Sequence, residues 1–378
     1  MSPTDSPPSL RKIRVWDIGV RVFHWGLLVA VSVAALTGFL GSPDSLSIHL
    51  LAGIAIAYLL LFRLVWGFSG STFARFRTFL YGIPAIIGRA KDMLAGRHLR
   101  YLGHNPLGGV MVFVLLAVLT LILITGTVVL GGTIKQGPLA FITSYATGGL
   151  VKEIHQILAI GLLGLIALHL AGVAYESFFG RENLVQAMIT GDKPASSDVP
   201  MPEPTPARPV LALVAVAVVS IASIVIIASL AARPGLGVPV AAVDPVYLKE
   251  CGSCHFAYHP SMGTAKLWNG IMTHLDHHFD EDASLPEPTR LAIATYLADN
   301  SAEHWDTRIS HVLAKANPDD PLRFTATRFW TRMHREIPAS VFKSKAVGFK
   351  GACNACHSDA KAGLFAPQNI DIPEGAFK

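Results

Sequence analysis

The chain of 378 residues has only four cysteines, and all four stand in two C-x-x-C-H segments, Cys251-Gly-Ser-Cys254-His255 and Cys353-Asn-Ala-Cys356-His357. None is left for a disulfide framework, and zinc would want more ligands than these spacings provide. Charge is scarce too: 15% of residues are charged against 51% hydrophobic, and the mean hydropathy is +0.45. That composition is too apolar for an ordinary soluble protein and requires membrane spans beside something soluble. No nucleophile triad, phosphate loop or carboxylate pair is present, so none of those hydrolytic or phosphoryl-transfer chemistries is signalled. The net charge of +5 does not mean nucleic acid, because it is unevenly placed. Residues 1–243 carry 17 Lys/Arg against 10 Asp/Glu, and residues 244–378 carry 14 against 16. The basic excess belongs to the membrane part.

Five apolar runs are long enough to span a bilayer, roughly 20–40, 48–68, 107–130, 151–175 and 210–232, and each must be helical. No small-residue cleavage site follows the first run, so it reads as a retained anchor. Lysine and arginine gather in the N-terminus, in the loop after the second span and after the fourth, with 14 on that side against only Lys135, Lys152 and Arg233 on the other. The N-terminus is therefore expected in the cytoplasm and residues 233–378 in the periplasm. Residues 191–208, rich in Pro and Ser, read as a linker without a core. The fifth span has no histidine, aromatic or charge, which suits a tether.

The stretch Lys152–Tyr175 carries His155 and His169 inside an apolar run, and ionisable groups at that depth need a reason. Fourteen residues on a helix rise about 21 Å and return to within roughly 40° of the starting direction. One helix thus offers two ligands on one face, at two depths. His24 lies near the cytoplasmic start of the first span and His49 near the outer start of the second. Depth pairs His24 with His169 and His49 with His155, the pattern for two b-type haems with two histidine ligands each. Arg63, fourteen residues after His49, shares its face at the cytoplasmic level, where it would either meet haem propionates or snorkel to the interface. His98 and His104, in the cytoplasmic loop, read as structural or solvated.

In the soluble region the paired thiols suit thioether bonds to haem vinyl groups, with His255 and His357 as proximal ligands. Candidates for the sixth positions are His259, His274, His277, His278, His304, His311 and His334. Met262, Met272 and Met333 read rather as packing residues.

These residues also carry two resemblances. VWDIGVRVFHW, GHNPLGG at 103–109, the Thr125–Gly126 pair, His155 with His169, and RENLVQAMITGDK at 181–193 resemble the bacterial cytochrome b561 and hydrogenase cytochrome b group, over about residues 12–193. This implies a four-helix bundle with two b haems that exchanges electrons with quinone. CGSCHFAY, HHFDEDASL, IATYLADNSA, FWTRMHREIP and CNACHSDAKAGLF resemble the dihaem cytochrome c family, over about 248–376. That resemblance implies His278 and His334 as distal ligands, and a small high-spin cytochrome as a periplasmic partner. His259 stands where that family more often has proline. Nearness in sequence assigns His278 to the haem on His255 and His334 to the haem on His357.

The expected fold is all-α: a four-span di-b-haem domain (1–190), the linker (191–208), a fifth transmembrane helix (209–232) and a periplasmic dihaem c domain (233–378). The expected function is transmembrane electron transfer in a bacterial inner membrane, from quinol through b and c haems to a soluble acceptor, as in a quinol:cytochrome oxidoreductase. A second reading is the electron-accepting anchor of a larger enzyme such as a hydrogenase, with flow toward quinone. A haem sensor or store is disfavoured by eight axial histidines for four haems.

Overall fold

The structure, a computed structural model, describes residues 10–42, 45–97, 99–180, 182–196, 203–239, 243–315 and 322–377; His98 lies outside them. The chain forms two compact units. One comprises Met1–Thr125 and Glu153–Ile226, the other Gly126–Lys152 and Ile227–Lys378.

In chain order the first unit holds strand β1 (Leu10–Arg14), helices α1 (Ile18–Phe39), α2 (Leu46–Ser69), α3 (Ile83–Leu94), α4 (Pro106–Val129), most of α5 (Tyr145–Phe179), α6 (Leu184–Thr190), strand β2 (Asp192–Ser196) and most of α7 (Pro209–Ala231). A π-helical turn, Leu130–Ile134, ends α4. Five helices among the described residues are long and apolar enough to cross a membrane: α1, α2, α4 with its π turn, α5 and α7. This is a multi-pass membrane protein. In lipid only a helix satisfies its own backbone groups, so unbroken apolar runs become helices whatever their propensity. Their outward side chains, such as Leu51, Ile157 and Leu213, are exposed for the same reason.

Asp17 fixes where the bundle starts. Its carboxylate accepts from Val20 N at 2.8 Å, which caps α1, and also from Trp66 Nε1 at 3.0 Å and Ser71 Oγ at 2.6 Å. One side chain thereby ties the start of α1 to the end of α2. The bundle core between α1, α2, α4 and α5 is small and aliphatic, built on Ala30, Ile56, Leu119 and Leu162.

Two expectations change. Helix α5 runs 35 residues, about 52 Å of rise, well beyond the roughly 30 Å of a hydrocarbon core. Hydropathy registers only its apolar middle. The fold is mostly helical, as expected, and the change is in the linker, where one two-stranded sheet is added. The start of the expected linker is strand β2, paired antiparallel with β1 so that Arg14 faces Asp192 and Lys12 faces Pro194. Pro194 is tolerated because every strand of a two-stranded sheet is an edge. The far end of the same segment is held as well: Thr205 N donates to Thr72 Oγ1 and Arg208 N to Ser69 O, both at 2.8 Å.

The second unit contains the loop between α4 and α5 and the C-terminal region. Its helices are short: α8 (Pro245–Cys251), α9 (Ala265–Met272), α10 (Glu287–Asp299), α11 (Arg308–Leu313), α12 (Arg328–Met333) and α13 (Ala339–Lys343). Gly132 and Gly148 let the α4–α5 connection close on itself, since a Cβ on Gly132 would meet Gly148 Cα at 2.6 Å. The C-terminal region has two cores. The larger centres on Trp268, Met272, Ile293 and Leu297, the smaller on Val341, Phe342 and Val347. Cys251 and Cys353 pack against the first and Cys356 against the second.

Candidate functional site

The eight axial histidines expected from the sequence stand in four pairs. On α5, His155 faces His49 of α2, with ring centres 6.4 Å apart, and His169 faces His24 of α1 at 6.5 Å. In the C-terminal region, His255 faces His278 at 6.0 Å and His357 faces His334 at 6.2 Å. Two imidazoles on opposite sides of one metal stand about 6.3 Å apart, from a metal–nitrogen bond of about 2 Å and about 1.1 Å from nitrogen to ring centre on each side. All four pairs have the spacing that one iron between them needs.

The outer nitrogens are arranged to match. His49 Nδ1 donates to Ala34 O at 3.0 Å, His255 Nδ1 to Phe256 O at 2.8 Å and His334 Nδ1 to Trp330 O at 2.9 Å. His155 Nδ1 meets Thr125 Oγ1 at 3.0 Å. A proton held on Nδ1 leaves the lone pair on Nε2 for a metal. His24 and His357 keep Nδ1 shut away from solvent with no partner among the described residues. A Cβ on Gly38 would come within 3.1 Å of His49 Cε1, so glycine there keeps the His49 ring free to sit as it does.

Residues 15–191 match the family described as prokaryotic cytochrome b561, and residues 247–365 match the family described as dihaem cytochrome c. The chain is a cytochrome b561 domain fused to a dihaem cytochrome c domain. Its membrane half is 24% identical, over 219 residues, to the probable Ni/Fe-hydrogenase B-type cytochrome subunit of Cupriavidus necator; the match covers 49% of this chain and 88% of that one. The corresponding subunit of Rhodobacter capsulatus is 23% identical over 222 residues, 49% of this chain and 83% of that one. The other half is 34% identical to the diheme cytochrome c from Rhodobacter sphaeroides, covering 34% of this chain and all of that one, with a TM-score of 0.29. For the diheme cytochrome from Shewanella baltica the values are 30% identity, 34% and 93% coverage, and a TM-score of 0.28. The two families imply b-type haems and two c haems.

In this b561–dihaem fusion burial pushes the thiols of Cys251 and Cys353 up to about 11. Burial lowers the basicity of His278, His334 and His357, with His255 adding to the effect at His278 and His334 at His357. These imidazoles are neutral and keep a lone pair to give.

The remaining candidates stand elsewhere. His274, His277 and His304 are exposed; His274 Nδ1 donates to Gly270 O and His277 pairs with Asp276. His259 is buried, and its Nδ1 accepts from the Ser261 amide and hydroxyl. Met262 and Met272 lie in the larger core, whereas Met333 is 41% exposed and does not fill a core. His311 binds Asp306.

Arg63 is buried. Its Nη1 donates to Ala74 O at 3.0 Å and its guanidinium lies over Phe76, 4.7 Å from the ring centre. His104 is half-buried between Trp16 and Phe79, and its Nδ1 has no partner among the described residues. Burial, then the positive fields of Arg63, Lys193 and His169, push it down to about 3. Two clusters had no sequence signal. Glu176 accepts from buried Arg89 at 2.6 Å and from Asn105 at 2.7 Å, joining α3 and α5 to the entry of α4. The other centres on Asp306.

Proposed function

We propose that this protein carries electrons across a bacterial inner membrane, from quinol through two b haems to two c haems and on to a soluble cytochrome in the periplasm. In this reading the N-terminus is cytoplasmic. His24 with His169 and His49 with His155 hold the b haems; His255 with His278 and His357 with His334 hold the c haems, anchored through Cys251, Cys254, Cys353 and Cys356. Haem iron supplies a one-electron couple at each site when bound. The observation that carries the reading is the set of four histidine pairs at 6.0–6.5 Å, two of them sharing α5.

The protein's own part is positioning. Helix α5 fixes two ligands about 21 Å apart along one axis, and the Nδ1 partners set the tautomers. Arg63, buried with its guanidinium over Phe76, is the cation placed to serve the propionates of the cytoplasmic-side haem. With two histidines to hold each iron, the protein would supply a complete set of ligands for one-electron transfer. The experiment is a pyridine-haem assay with a quinol-reduced spectrum of purified protein. Two b and two c haems, all reducible by quinol, are expected. A single b haem, or c haems that quinol leaves oxidised, would contradict the reading.

A second reading is favoured by the relatives, which are described as probable Ni/Fe-hydrogenase B-type cytochrome subunits. The fusion would then receive electrons on its c-haem side and pass them to quinone. Reduction of the quinone pool by pre-reduced c haems, with a hydrogenase co-purifying, would support it.

A further inference from the structure

The second compact unit contains a cluster that none of the haem chemistry requires. Asp306 lies between the short turn at 302–304 and α11, and its carboxylate gathers groups from three parts of the chain. Oδ2 accepts from Lys135 Nζ and from Tyr145 N, each at 2.7 Å, and Oδ1 meets His311 Nε2 at 2.8 Å. Its own amide donates to Gly237 O at 2.8 Å. The imidazole of His311 stacks on Tyr145, 4.6 Å between centres and 14° between planes.

Lys135 and Tyr145 belong to the loop between α4 and α5, Gly237 to the segment just after α7, and Asp306 with His311 to the dihaem domain. Further contacts run the same way. Leu236 N donates to Ala140 O at 2.8 Å, Gln368 Nε2 to Gln136 Oε1 at 2.6 Å, and Arg233 lies over the Phe141 ring at 4.7 Å.

Two features separate this cluster from an ordinary surface ion pair. The Lys135 side chain is only 2% exposed, and an ammonium so desolvated is stable only with a charged partner and further acceptors. Asp306 and Thr143 O, the latter at 3.0 Å, supply them. The backbone is also shaped for it: Lys135 has a φ of 60°, the left-handed region that favours glycine. Gly237, at φ 63°, sits so close that a Cβ there would meet Asp306 Cβ at 2.5 Å. Tyr145 is the first residue of α5, and His155 follows ten residues later on the same helix, about 15 Å of rise.

We propose that Asp306 is a positioning residue for electron transfer, clamping the dihaem domain onto the α4–α5 loop so that electrons cross at one fixed docking geometry and not by a carrier swinging on its tether. The inference rests on the conduit reading above. A tether alone would make transfer depend on linker length and viscosity through effective concentration. A clamp makes it indifferent to both. The charge-assisted bonds at Asp306 bias the docked population by about 10- to 100-fold.

The test uses the full-length holoprotein mixed rapidly with duroquinol, following b and c absorption bands separately. Asp306→Ala and Lys135→Met should leave the haem content, the spectra and the rate of b-haem reduction unchanged. They should slow the following b-to-c step at least about 10-fold. A ten-residue Gly-Ser insertion after Val240 should leave the wild-type rate alone but slow Asp306→Ala further. Asp306→Asn, which keeps an acceptor oxygen, should recover part of the rate. Wild-type speed in Asp306→Ala, or an insertion that slows the wild type, would overturn the clamp. If the Ala variant does not accumulate, the insertion in the wild type decides alone, since a clamped domain ignores it. Wild-type c haems that take no electrons from duroquinol would overturn the conduit reading and the clamp together, an outcome visible before any variant is made.

Discussion

Replacing Thr125 with valine keeps the shape of the side chain and removes one oxygen. That oxygen is placed to set the state of His155. Thr125 Oγ1 donates its proton to Leu121 O at 2.8 Å, so toward His155 Nδ1, 3.0 Å away, it acts as an acceptor. His155 therefore carries its proton on Nδ1, and on the proposed reading its Nε2 would be free for the b haem it shares with His49. Valine removes the hydroxyl acceptor and leaves the Nδ1–H to the Ile122 carbonyl alone. One such bond is worth about 0.5–1.5 kcal/mol, which is about a two- to twelve-fold loss in the grip on that haem. The assay is haem transfer to apomyoglobin, followed together with the low-spin resonances of the two b haems by electron paramagnetic resonance. Thr125→Val should release one b haem faster by that factor and shift its resonance alone. The haem held by His24 and His169 should not change. Equal release of both haems, or an outer haem with the wild-type rate and spectrum, would refute the tautomer argument.

Three further outcomes follow from the same geometry. His24→Ala and His169→Ala should each lose one and the same b haem, and His49→Ala and His155→Ala the other; loss of a common haem by His24→Ala and His155→Ala would break the pairing. His278→Ala and His334→Ala should each turn one low-spin c haem high-spin, whereas carbon monoxide binding to the unaltered c domain would count against closed sites. Burial holds His259 at about 4, below the ordinary value near 6.5. Its neutral form is the folded one, so its contribution to stability is complete above about pH 6.5 and fades as the pH falls toward 4. The thermal midpoint of the c domain should drop through that window, and His259→Gln should flatten the drop.

How much of this was legible depended on distance along the chain. The spans were legible because lipid leaves the backbone one solution, so composition alone marks α1, α2, α4, α5 and α7. The histidine partners were legible because a helix converts spacing into depth. His155 and His169 on one face predict two levels, and a charge-based orientation assigns His49 and His24 to them. The ends of α5 were not legible, since Tyr145-Ala-Thr-Gly-Gly is too polar and glycine-rich for a hydropathy reading to include. Nor was the β1–β2 pair, which joins Arg14 to Asp192 across 178 residues with a proline in one strand. The Asp306 cluster shows the limit most plainly. Lys135 was counted only as one of the few charges on its side of the membrane. Nothing near it in sequence indicates a carboxylate 171 residues away. Long-range polar pairing has no period to read; it is visible only once the chain has folded.

The central claim is that electrons pass from quinol through the b haems to the c haems. The measurement that tests it most directly is the order of reduction after oxidised protein is mixed rapidly with quinol, with b and c bands resolved in time. The account predicts that the b bands rise first and the c bands follow from them, and that His49→Ala, by removing the outer b haem, leaves the c haems oxidised. Reduction of the c bands at an unchanged rate in His49→Ala would contradict it.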